Sequence, residues 1–113
     1  MNRSTPMDKR ISEMHSEICK IFTSPKRLEI IDTLQDGEKS VSDLSEYIGI
    51  SQSNVSQHLA KLREKGVVAV RRDGNNMYYS ISNPKILDAC RLMREVLLEN
   101  LDKSGRLAKE VRR

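Results

Sequence analysis

Residues 41–81 read VSDLSEYIGISQSNVSQHLAKLREKGVVAVRRDGNNMYYSI, and the pattern of apolar residues changes once along them, which decides the fold. Up to Leu62 the apolar residues recur at intervals of three and four, the period of a helix with one buried face. From Val67 they become β-branched and aromatic and fall in short runs, the habit of strands. Ser40, with Asp43 three residues on, has the spacing of a capping box, so it opens a short helix with inward Val41, Leu44 and Ile48 that closes at Gly49. Ser51 caps a second helix with inward Val55, Leu59 and Leu62, ending at Gly66. The segments VVAVRR and MYYSI then flank DGNN, whose residues tolerate positive φ, and together they predict a hairpin.

Working outward, residues 8–22 place Ile11, Met14, Ile18, Ile21 and Phe22 on one helical face. Ser24-Pro25 supplies a cap and a proline at the first helical position, and Leu28, Ile31 and Leu34 continue that helix until Asp36-Gly37 stops it. Beyond the hairpin, Asn83-Pro84 opens a last helix carrying Ile86, Cys90, Met93, Leu97 and Leu101 along one stripe. The expected fold is mainly α with a small β-hairpin, in the order α-α-α-α-β-β-α. Residues 1–7 are expected to form an N-terminal arm, 8–101 one domain and 102–113 a basic tail.

A chain of 113 residues fits one domain, and one this small buries only a modest core, so a partner surface would add stability. It has no apolar run of membrane-spanning length, and MNRSTPMDKR lacks the apolar stretch of a signal peptide, so a cytoplasmic location is expected. Two cysteines separated by most of the chain do not build the disulfide framework of a small secreted domain.

The formal net charge is +4, but its distribution says more than its sum. Residues 28–50 hold six acidic side chains against one basic, whereas residues 51–81 hold five basic against two acidic. The second stretch is therefore the one suited to phosphate.

Two short helices joined at Gly49-Ile50, the second polar at its start and followed by an arginine-bearing hairpin, describe a helix-turn-helix with a wing. With Val55 set inward, steps of 100° per residue bring Ser53 and Gln57 to the outer face, with Asn54 and Lys61 beside it. Asn and Gln amides can read base edges in a major groove, Ser can bond a base or phosphate, and Lys suits phosphate. Arg71, Arg72 and Asn75 are the corresponding candidates on the wing. A merely solvated polar face would not require a preceding capped helix and a following basic hairpin.

These same residues carry a family resemblance. A Ser-Gln-Ser start to the recognition helix, then Ser-Gln-His-Leu, Leu-Arg-Glu-Lys-Gly and a wing ending in Tyr-Tyr, together with Ser24-Pro25-Lys26-Arg27-Leu28, resemble the ArsR/SmtB repressors over most of the chain. The resemblance implies Gln52, Ser53, Ser56 and Gln57 as base and phosphate contacts, double-stranded DNA as partner, and a homodimer built from the first and last helices. It also marks two departures. Where many members coordinate soft metals with Cys-Val-Cys-Asp-Leu, this chain has Ser40-Val41-Ser42-Asp43-Leu44, and serine hydroxyls are poor ligands for such ions. A second family site uses Asp-x-His and later ligands on the last helix, where this chain has Asp88-x-Cys90, Leu101 and Ser104. No metal and no cofactor are therefore expected.

Cys19 and Cys90 lie on the two helices expected to form the dimer core, and their positions read first as small buried hydrophobes. The alternative is a thiol switch that moves those helices on oxidation. His58, between the inner and outer faces of its helix, is expected to be structural, and His15 has no partner motif. There is no glycine-rich phosphate loop, no apolar carboxylate pair and no nucleophile with an arranged base, so an enzyme is not expected. The competing reading is a winged-helix module that binds protein without specific DNA binding.

Overall fold

The structure, a computed structural model, describes residues 8–105. The arm at residues 1–7 and residues 106–113 of the tail lie outside the described residues. Helices α1 (Lys9–Ile21) and α2 (Pro25–Thr33) are followed by a 3-10 turn (Leu34–Asp36) and strand β1 (Lys39–Ser40). Helices α3 (Val41–Ile48) and α4 (Gln52–Glu64), strands β2 (Val68–Asp73) and β3 (Asn76–Ile81), and helix α5 (Lys85–Lys103) complete the order. One compact unit ends at Ser82 and a second begins at Asn83.

The helices start and stop where short polar side chains and glycines dictate. Ser24 Oγ accepts from the Arg27 amide, and Ser51 Oγ from the Asn54 amide. Ser40 and Asp43 form both halves of the capping box, at 3.0 and 3.4 Å. At the end of α4, Gly66 takes a φ of +76°, which lets the Val67 amide donate to the Leu62 carbonyl and its own amide to that of Arg63. This paired closure satisfies carbonyls the helix leaves open.

The core of the first unit is aliphatic. Ile30, Ile31 and Leu34 meet Leu44, Val55, Leu59 and Leu62 from the next two helices, with Val67 and Val68 from the start of the hairpin, all buried. Leu28, Val41 and Ile48, read as inward, are only half-buried, while Ile30 is fully enclosed. Helix α1 buries Ile21 alone, so the rest of its apolar stripe is open. Arg27 fastens the end of this helix: its Nε donates to the Ile21 carbonyl at 2.8 Å and its Nη2 to that of Lys20 at 3.3 Å.

The sheet has three antiparallel strands in the order β1-β3-β2, not the two of a lone hairpin. Lys39 pairs with Tyr79 and Ser40 with Tyr78, so a two-residue segment before α3 becomes an edge strand. Two residues are too few to show an alternation, which is why sequence pattern misses it. The hairpin itself turns on Gly74 and Asn75, with φ of +63° at Gly74 and no positive φ at Asn75, the sign pattern of a type II′ turn.

In the second unit, α5 buries none of its residues. Leu92, Met93, Val96, Leu97 and Leu98 are all exposed, while Arg91 pairs with Asp88 and Glu95. Among the described residues no helix is long and apolar enough to cross a membrane.

Candidate nucleic-acid interface

Helix α4 is held by one face and offers the other. Val55, Leu59 and Leu62 are fully buried, which fixes the helix in rotation about its axis. Gln52, Ser53, Asn54, Ser56, Gln57 and Lys61 are all exposed; the 100° steps from Val55 account for all but Gln52, which lies only about 60° from Val55 and is open at the first position of the helix. The amides of Gln52 and Ser53 have no partner within the helix, and its N-terminal dipole favours an anion there.

The angle between α3 and α4 is set by a short turn. Gly49 adopts a φ of +81°, a left-handed value that a side chain would resist, and its amide bonds the Ser45 carbonyl at 2.9 Å. The Ser45 hydroxyl reaches across to donate to the Ile50 carbonyl at 2.5 Å. A serine inside a helix that ties its own exit turn is a positioning residue not marked out by any motif spacing.

His58 sits half-buried on the flank of α4. Partial burial, then the positive charges of Arg27 on α2 and Lys61 on α4, push its pKa below the ordinary imidazole value. The folded protein thus favours neutral His58, and the unfolded chain binds its proton at higher pH. As pH falls through the ordinary histidine value, this preference costs stability, until the lower folded value is reached and the loss stops. Thermal unfolding from pH 7.5 downward should therefore show a decline in Tm through that window that His58→Gln lacks; parallel curves would show that His58 does not titrate differently on folding.

The wing carries its two arginines on opposite faces, because successive strand residues alternate. Arg71 lies opposite Tyr78 and Arg72 opposite Met77. Arg71 stands 4.9 Å from the centroid of the Tyr78 ring and makes a two-point pair with Glu38, Nη2 to Oε1 at 2.6 Å and Nε to Oε2 at 3.2 Å. Asp73 lies 3.9 Å away. The Arg71 guanidinium holds the Glu38 carboxyl below its ordinary value, and the Arg71 pKa is raised in return. Arg72 is exposed with no ion pair among the described residues, and Asn75 is exposed in the turn. The two arginines proposed together from sequence are therefore in different electrostatic states.

In the single chain Cys19 is exposed, since α1 is covered only near Ile21, and Cys90 is half-buried. His15 is exposed on α1. Ser40 caps α3 through its hydroxyl, which accepts from the Asp43 amide.

A capped helix pair, a rigid turn and a three-stranded wing define a winged helix-turn-helix. Residues 24–70 match the family model described as bacterial regulatory protein, arsR family. An HTH-type transcriptional regulator of Mycobacterium tuberculosis is 42% identical over 86 residues, 75% of each chain, and its crystal structure superposes with a TM-score of 0.78 over 84% of this chain and 96% of that one. A biofilm growth-associated repressor of Xylella fastidiosa is 39% identical over 79 residues, 70% of this chain and 68% of its own. The solution structure of a homodimeric winged helix-turn-helix DNA-binding domain from Mycobacterium bovis gives a TM-score of 0.78 at 26% identity, covering 89% of this chain and 94% of that one. This protein belongs to the ArsR family of bacterial transcriptional regulators.

Proposed function

We propose that this DNA-binding regulator is a repressor that binds an inverted-repeat operator as a homodimer, reading bases with α4 and phosphate with the wing. The observation that carries the reading is the division of α4 into a fully buried aliphatic face and an outer face of Gln, Ser, Asn and Lys. Similarity to a named repressor and to a homodimeric DNA-binding domain supports the two finer points. A second copy would cover the exposed stripes Ile11, Met14 and Ile18 on α1 and Met93, Val96 and Leu97 on α5, and a two-fold pair presents two recognition helices to successive major grooves.

Among the exposed residues of α4, Gln57 and Gln52 are assigned to base edges, Ser53, Asn54 and Ser56 to bases or phosphate at the helix start, and Lys61 to the backbone. Gln57→Ala is expected to lower discrimination between operator and random duplex by about 1–3 kcal/mol per half-site while leaving random-duplex affinity almost unchanged. Arg72→Ala is expected to weaken both duplexes alike. Titration of each variant against both duplexes at several salt concentrations checks this. Equal losses of discrimination would mean that the reading face is misassigned, and binding that ignores salt would favour a protein-interaction module.

A further inference from the structure

We propose that Glu38 is a specificity-determining positioning residue, which neutralises Arg71 so that each wing presents one phosphate-binding cation, Arg72, instead of two. The inference rests on the reading of the wing as a DNA contact and adds a residue from outside both the recognition helix and the hairpin. Glu38 lies just before β1, in the acidic stretch of residues 28–50, 33 positions from Arg71 in sequence. Pairing of β1 with β3 brings the two together, since Ser40 and Arg71 both lie opposite Tyr78, on its two sides.

The pair has the fork geometry in which both carboxylate oxygens are used by the guanidinium, and the Tyr78 ring supports the same group. An arginine so held offers little unmet charge. Both partners nevertheless remain open to solvent, with side-chain exposures of 53% and 40%, so a phosphate could compete for Arg71 were the carboxylate removed. Adding a cation to the wing would strengthen contact with every duplex, because phosphate is present in all sequences. Discrimination between operator and random DNA then falls as random binding rises. Glu38 thus limits the share of binding energy that carries no sequence information.

The experiment is a salt titration of duplex binding by wild type, Glu38→Gln, Arg71→Gln, the Glu38→Gln/Arg71→Gln pair and Arg72→Ala, each with its Tm. Each phosphate contact adds about 0.9 to the magnitude of the slope of log K against log salt. Glu38→Gln is expected to bind random duplex more tightly and to steepen the slope by about 0.9 per wing, so that a fourfold rise in salt costs it roughly 3.5-fold more affinity per wing than wild type. Arg71→Gln alone should leave the slope unchanged, and the paired variant should return to the wild-type slope. A purely structural pair would lower Tm or affinity without steepening the slope, and that result overturns the proposal. So does a shallower slope for Arg71→Gln, which would mean that the pair opens on DNA. If Arg72→Ala also leaves the slope untouched, the wing's contact with phosphate fails as well, a failure distinct from that of Glu38 alone.

Discussion

Met93→Asp combined with Leu97→Asp is expected to produce a monomer whose operator affinity is about 10²–10⁴-fold lower than that of the parent. Both residues are exposed in a single chain, at 70% and 54%, on a helix that buries nothing of its own. If a second copy covers them, each new carboxylate is transferred from water into an apolar interface without a partner, a cost that association cannot absorb. The loss of DNA affinity follows because two linked recognition helices bind two half-sites with an effective concentration that separate chains lack. Sedimentation reads the assembly and a gel-shift titration reads the affinity. A dimeric variant with unaltered binding would show that the interface lies elsewhere. The first unit has its own aliphatic core, so its helical signal should persist when the dimer is lost.

Leu59→Ala is expected to destabilise the folded chain by about 2–5 kcal/mol, the range for removing a buried leucine from a core that cannot collapse around the gap. Leu59 is fully buried on α4, between Val55 and Leu62, where α2 and α3 also meet the helix. For a unit of this size such a loss corresponds to a fall in Tm of roughly ten degrees or more. Gln57, two residues earlier and fully on the outer side, should change stability by no more than about 0.5 kcal/mol when replaced by Ala. Urea unfolding of both variants separates the two faces of one helix. Similar midpoints would contradict the inward assignment of Leu59, and a large loss for Gln57→Ala would contradict its outward one.

The sequence reveals those features of the fold that have a local cause. Ser24, Ser40 and Ser51 mark helix starts because their hydroxyls meet amides three residues on, and Gly49, Gly66 and Gly74 mark the turns where positive φ is needed. The inward set of α4 is readable because its period is helical, and its outer face is then the remainder. Features made by distant residues leave no such trace. Strand β1 exists through pairing with Tyr78 and Tyr79, almost 40 positions away, and the state of Arg71 depends on Glu38 at a similar remove. Charge counting places Glu38 in an acidic stretch but not opposite a wing arginine. Cys19 shows a different limit: an apolar stripe identifies a surface that seeks cover, not whether one chain supplies it.

The opposition of Arg71 and Arg72 makes the wing a two-position selector whose setting is stored in its frame. Because side chains alternate along β2, deleting Ala69 or Val70, with Val68 still paired to Ile81 and the loss taken up in the turn, would exchange the faces of the two arginines and bring Arg72 opposite Tyr78. Arg71 would move to the face shared by Val68, and Arg72 would come within reach of the Glu38 carboxylate. Substitutions can tune this wing gradually, whereas the loss of one residue from β2 reverses it in a single step. Divergence among wings of this kind should therefore be easier to interpret when the register of β2 against β3 is compared as well as residue identity.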